Sequence, residues 1–142
     1  MAYATITAMQ QRFGERDIIY LSEREDGPVD VINTAVIEQA INDASDVING
    51  YLAGRYELPL VTVPNLLEQF CCDIARYKLG TNDVPEHVET RYKDAIKFLM
   101  SVAKGELSIG VDALGQDAKV QDTATIQSAG TVFSREKSKG FI

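Results

Sequence analysis

The sequence predicts a mainly α-helical protein, a bundle of four to five helices with minor β structure and an extended C-terminal arm. Three long segments, residues 34–53, 64–79 and 85–104, carry apolar residues at the three- and four-residue spacing of one helix face. Prolines or glycines, which start and stop helices, stand at their boundaries. Beyond Gly105 this spacing ends. We therefore expect a helical domain over residues 1–112 and an arm over residues 113–142.

Two short helices are predicted before the long ones. In the segment TITAMQQRFG, Ile6, Met9 and Phe13 fall on one face. The Thr5 hydroxyl can accept a free backbone N–H at the start of this helix, and Gly14 can end it in a left-handed conformation. A second short helix is expected in ERDIIYLSE, with Ile18, Ile19 and Leu21 buried.

The segment REDGPVDVIN interrupts the helical pattern with a Gly27-Pro28 turn signal. Its acidic residues invite comparison with a calcium-binding loop, which needs oxygen ligands at alternating positions and a terminal glutamate. When Gly27 is aligned with the glycine of such a loop, Arg24 takes a ligand position and Asn33 takes the last one. The pattern fails, so we predict a solvated acidic turn and no metal site.

The longest predicted helix begins near Asn33 or Thr34, and its wide apolar face runs from Ile37 to Leu52. Gly50 lies inside it, where glycine is about 1 kcal/mol less favourable than alanine. We therefore expect another element to pack closely against Gly50. A glycine is expected to end this helix, an extended corner to follow, and a proline to start the next helix. We assign an architectural role to six residues in this part of the chain: Gly50, Gly54, Arg55, Tyr56, Pro59 and Pro64.

The next two helices are each expected to begin at a proline and to end at a glycine. Pro64 and Gly80 bound the first, and Pro85 and Gly105 bound the second. The last helix carries a buried stripe from Val88 to Val102. After it, residues 106–112, ELSIGVD, are a candidate short strand.

Composition narrows the possible functions. The net charge is −7, which argues against a protein that wraps nucleic acid through its phosphates. We expect no membrane span, because the sequence has no run of about 18 apolar residues. We expect no signal peptide, because the N-terminus lacks the basic stretch, apolar run and cleavage site of one. Cys71 and Cys72 are expected to be reduced core thiols, and His87 has no second histidine at metal-binding spacing. We therefore predict no enzyme and no cofactor.

The C-terminal end of the chain is both apolar and basic. Residues 125–142 carry Arg135, Lys137 and Lys139 against Glu136, a net charge of +2, so the rest of the chain sums to −7 − 2 = −9. We expect this end to form an assembly interface, and the alternative is that it folds back on its own helices. The predicted interface residues are Val132, Phe133, Arg135, Lys137, Lys139, Phe141 and Ile142.

Several segments resemble one known family. DASDVINGYLAGRYELPL, VPNLLEQFCCDIARYKL and RYKDAIKFLMSVAKGELSIGVD are similar to the neck, or head–tail joining, proteins of Mu-like phages and prophages. The N-terminal YATITAMQQRFGERDIIYLSERE and the closing VFSREKSKGF also resemble the ends of these proteins. Family members often have a more acidic, Asp-Gly-rich turn where this chain has EREDGPVD.

The resemblance implies a virion structural protein, made in the bacterial host cytoplasm and located in the neck. Its subunits would form a homo-oligomeric ring below the portal protein and complete the head. The ring would extend the DNA channel without specific DNA binding and would dock a tail terminator or another tail-side neck protein. An acidic body would repel DNA that slides through such a channel. The alternative is an acidic helical binding or regulatory module outside the virion.

Overall fold

The computed structural model describes residues 2–80 and 83–110. Within these ranges the chain forms five helices and no strand: α1 (Ile6–Phe13), α2 (Glu15–Ser22), α3 (Thr34–Leu52), α4 (Asn65–Leu79) and α5 (Glu86–Ala103). The prediction of a mainly α-helical bundle is confirmed. Residues 106–110, where a short strand was a candidate, contain none. The predicted arm, residues 113–142, lies outside the described residues.

The core lies between the three long helices. α4 packs against both α3 and α5, and α1 lies across α3 and α4. The predicted apolar face of α3 is buried from Ile37 through Ile48 to Leu52. α4 is the most buried helix, because neighbours cover it on several sides. Its buried residues are Leu67, Phe70, Cys71, Cys72, Asp73, Ile74, Ala75 and Leu79.

The N-terminal segment is fixed to the bundle. The Thr5 side chain accepts a hydrogen bond from the Ala8 N–H at 3.1 Å, as the sequence predicts, and Gly14 ends α1 with a φ of +92°. The Tyr3 N–H donates to Ser45 Oγ at 3.0 Å, and the Tyr3 hydroxyl donates to the Asn49 side chain. These bonds hold the first residues along α3.

The helix ends differ in detail from the predictions. α3 ends at Leu52 rather than at Gly54, and its C-cap residue Ala53 keeps a right-handed backbone. Within the described ranges, Gly54 is not among the glycines with positive φ. The chain instead turns through two backbone bonds of 2.9 Å, in which the N–H groups of Arg55 and Tyr56 both donate to Leu52 O. Pro64 is the N-cap of α4, one position before its first helical residue.

The expected close packing at Gly50 is wrong. A Cβ added to Gly50 would meet nothing within 4 Å, and the residue is exposed. It follows the buried Ile48 by two residues, a rotation of about 200° around the helix axis, which places it on the solvent side. Gly50 is therefore a weak point in α3 with no packing reason inside this subunit.

Candidate assembly site

The chain leaves the helical body through residues 104–110, here called the exit segment. α5 ends at Ala103, and two backbone bonds close its last turn: Gly105 N–H donates to Val102 O at 3.0 Å, and Glu106 N–H donates to Ser101 O at 2.9 Å. Gly105 has a φ of +85°, which favours glycine. The exit segment therefore begins with a sharp, hydrogen-bonded reversal, and it leads directly into the predicted arm.

Arg55 lies against this reversal. It belongs to the corner, residues 53–64, which connects α3 to α4. A Cβ added at Gly105 would clash with the Arg55 guanidinium, its Nη1 atom being the nearest heavy atom. The backbone conformation favours glycine at position 105, and an added Cβ would also have to displace the end of the exposed Arg55 side chain.

Tyr56 binds the exit segment further along. Its hydroxyl oxygen accepts a hydrogen bond from the Ile109 N–H at 3.3 Å and lies 3.5 Å from Ser108 Oγ. The Ile109 side chain is buried in the main core. The Arg55-Tyr56 pair thus connects the corner to a segment about fifty residues later in the chain. The Tyr56 hydrogen bond and the buried Ile109 side chain fix the point at which the described chain leaves the body.

The rest of the corner is anchored by leucines. Leu60 is buried and Leu58 is half-buried against the core, and the Leu58–Pro59 peptide bond is cis. Both leucines thus turn back on the bundle. Gly54, by contrast, has no neighbour within 4 Å of an added Cβ. Of the six architectural residues, Arg55 and Tyr56 are the two that the structure brings to the exit segment.

The predicted assembly interface lies outside the described residues. It comprises Val132, Phe133, Arg135, Lys137, Lys139, Phe141 and Ile142. The structure describes the chain up to Gly110, three residues before the predicted arm, and the contacts that hold the exit segment in place.

One buried charge was missed by the sequence reasoning. Asp73 of α4 is 8% exposed and makes no hydrogen bond or ion pair within residues 2–80 and 83–110. It lines a crevice of about 440 Å³ between α1, α4 and α5. Burial raises the pKa of the Asp73 carboxyl, and the guanidinium groups of Arg91 and Arg12 partly oppose this rise. The sequence signal is its place in CCDIA, a run of buried residues.

The charges around this crevice balance. A smaller cleft of about 180 Å³ shares Asp73, Arg12 and Arg91 with it. The charged lining residues of the two together are Arg12, Arg76 and Arg91 against Asp17, Asp73 and Asp94, which sum to zero. His87 lines the smaller cleft and is exposed. No lining residues form a nucleophile with an adjacent general base. The crevice is therefore best described as a polar cleft between helices whose charges cancel.

The cysteines are core residues. Cys71 and Cys72 are free and fully buried, as predicted. Burial raises the pKa of both thiols, that of Cys72 to about 12. Both groups are therefore protonated thiols at neutral pH, poorly suited to nucleophilic chemistry. Across the part of the chain that the structure describes, no group of three potential ligands could hold a metal ion, and no helix is long and apolar enough to cross a membrane.

Comparison with known proteins gives consistent matches. The family model described as Bacteriophage Mu, Gp36 matches residues 3–128. The chain is 43% identical over 111 residues to "Mu-like prophage FluMu protein gp36" of Haemophilus influenzae, covering 78% of this chain and 79% of that protein. It is 38% identical over 145 residues to "Gene product J" of Escherichia phage Mu, covering the whole of both.

Proposed function

Because the chain belongs to the Bacteriophage Mu, Gp36 family and is a Mu-like phage protein, we propose that it is a head–tail connector subunit of the virion. In this proposal, copies of the chain form a ring below the portal protein. The ring extends the DNA channel and provides the docking surface for the tail-side neck protein.

The observation that carries the proposal is the fixed exit of the chain from a closed helical body. The described residues bury a helical core, and the Tyr56 hydrogen bond and the buried Ile109 side chain hold the exit segment against it. The following 32 residues, 111–142, would then start from a fixed point on the body. This design suits a subunit that grips its neighbours with an extended segment.

The charge of the body supports the channel role. Residues 2–110 contain ten Lys and Arg against seventeen Asp and Glu, a net charge of 10 − 17 = −7. A ring of such bodies would present a strongly negative field, which repels the phosphates of DNA. DNA would then slide through the channel without specific binding.

The proposal is tested on phage particles. Mass spectrometry of purified virions should detect this chain, and native mass spectrometry of the isolated protein should detect a closed ring. In a phage that lacks the gene, electron microscopy should show filled heads and separate tails. The matched control is the same phage with the gene supplied on a plasmid, which should restore complete particles. A chain that is monomeric, absent from virions and dispensable for joining would instead favour the binding or regulatory module outside the virion.

A further inference from the structure

The turn between α2 and α3, residues 23–33, presents apolar side chains to solvent. Among the described residues, six large apolar side chains are exposed, and three of them fall within residues 20–31. Tyr20 is 75% exposed, Val29 is 73% exposed and Val31 is 52% exposed. Single exposed apolar residues are ordinary, but three within one short segment make it a candidate contact surface.

The same turn is strongly acidic. Its charged residues are Glu23, Glu25, Asp26 and Asp30 against Arg24, a net charge of 1 − 4 = −3. The Arg24 guanidinium is occupied, because its Nη1 donates to Leu21 O at 3.0 Å and to Glu23 O at 2.7 Å. The acidic side chains are all exposed. The turn therefore combines an apolar surface with unneutralised negative charge.

The turn is held in a defined shape. The buried Ser22 hydroxyl donates to Ile19 O at 3.1 Å and accepts from the Asn33 N–H at 3.0 Å, which ties the start of the turn to its end. Asp30 has a φ of +62°, a left-handed conformation that aspartate tolerates better than most residues do. A turn fixed in this way keeps Val29 and Val31 exposed instead of folding them onto its own core.

We propose that this acidic turn is the docking surface for residues 131–142 of a neighbouring copy of the chain. That segment carries a net charge of +2, from Arg135, Lys137 and Lys139 against Glu136. Its apolar members can cover the exposed Tyr20 of α2 and the exposed valines of the turn: Val132, Phe133, Phe141 and Ile142. Both components of the surface, apolar and charged, thus find their complement in one segment. The inference rests on the proposed function, because it supplies the contact between ring subunits.

Length permits this pairing and charge favours it. The described chain ends at Gly110, and the twenty residues 111–130 can span at most about 70 Å, a length that permits contact with another copy. The crevice around Asp73 is a poorer acceptor, because its charged lining residues sum to zero and offer no net attraction to a basic segment. Contact between two different surfaces, arm on one copy and turn on the next, is the type of interface that generates rings.

Cross-linking between full-length chains tests the contact directly. One chain carries Asp26→Cys and a second carries Lys137→Cys, and the two are mixed and oxidised. The native cysteines are buried with raised thiol pKa values, so they compete little. We expect a disulfide-linked heterodimer. A matched control with Asp46→Cys, which is exposed on α3 away from the turn, should lose that product.

Charge reversal provides a second test, with assembly read by native mass spectrometry. Glu25→Lys with Asp26→Lys should abolish ring formation, and so should Arg135→Glu with Lys137→Glu. The two pairs combined in one chain should restore it, while Glu38→Lys with Asp46→Lys, an equal charge change on α3, should leave it intact. Circular dichroism verifies that each variant folds.

Each result has a defined meaning. Equal cross-linking in the Asp46 control, or rings that survive both reversals, would overturn the inference. A disulfide that forms only within a chain carrying both new cysteines would also overturn it, because the arm would then dock on its own turn. Heterodimers formed by a protein that never closes into rings would support the contact and refute the ring of the proposed function.

Discussion

Gly50 lies inside α3, and a Cβ added to it would meet nothing within 4 Å, so the glycine weakens α3 without improving its packing. We predict that Gly50→Ala stabilises the protein by about 0.5–1 kcal/mol, because alanine restricts the unfolded chain and favours the helix. Urea unfolding followed by circular dichroism measures the change. A loss of stability in the monomer would mean that the close packing first expected at this residue exists after all.

At Gly105, in contrast to Gly50, replacement by alanine should destabilise the protein. Its φ of +85° is unfavourable for alanine, and the Arg55 guanidinium fills the space that a Cβ would need. We predict that Gly105→Ala lowers the free energy of unfolding by about 1–2 kcal/mol, a typical value for a non-glycine residue forced into a left-handed backbone. The same urea titration checks it. Adding Arg55→Ala should recover only the part of the loss that is due to the clash.

Asp73 makes stability depend on pH. Because burial raises its pKa in the folded protein above the unfolded value, the folded state keeps a proton that the unfolded state has already released. The contribution of Asp73 to stability therefore falls as pH rises through the interval between the two pKa values. Above that interval, the buried carboxylate is charged at a net cost, since the opposing effects of Arg91 and Arg12 are smaller than that of burial.

Asp73→Asn should therefore raise the melting temperature at pH 7. Its advantage should shrink as the pH falls towards the ordinary range of aspartate, about 3.9, where the wild-type carboxyl also becomes neutral. Thermal melts between pH 4 and 8 would measure this, with the exposed Asp46→Asn as the control. A variant that melts lower at pH 7 would show that the two arginines need the carboxylate charge.

Among the elements, the corner and the exit segment are coupled through one side chain. Tyr56→Phe removes the hydroxyl that accepts from the Ile109 N–H, and the expected loss is about 0.5–1.5 kcal/mol. Because Ile109 follows the last helix, the effect should be local. Hydrogen exchange should show faster exchange at Ile109 and unchanged protection in α3 and α4. Uniformly faster exchange would indicate that Tyr56 supports the whole bundle.

The helices could be predicted because their signals are local. The spacing of Ile37, Ile41 and Ile48 defines the buried face of α3, and Thr5 and Gly14 bound α1 by short-range hydrogen bonding and backbone conformation. The partners of Arg55 and Tyr56 could not be predicted, because Gly105 and Ile109 come about fifty residues later. Gly50 was misread for a related reason: a glycine in a helix permits close packing but does not require it.

For the molecule as a whole, the buried apolar residues of the described structure and the excess positive charge lie in different parts of the chain. The buried core lies within residues 3–109, while residues 125–142 carry an excess of +2 on a chain whose other residues sum to −9. The described residues bury an apolar core of their own, and in our proposal the C-terminal residues make the contacts between copies. Such contacts would be partly electrostatic and would weaken as salt is added.

Deleting residues 125–142 tests this division of roles. We predict that the truncated chain keeps its helical circular dichroism and its melting temperature, because the core of residues 3–109 is untouched. It should fail to join rings or particles, since it loses the basic and apolar residues that suit an acidic neighbour. A full-length variant with Arg135, Lys137 and Lys139 all replaced by glutamine separates charge from apolar contact, and it should assemble more weakly than wild type. If the truncated chain instead unfolds as a monomer, the C-terminal residues belong to its own core. If it assembles normally, they have no part in assembly.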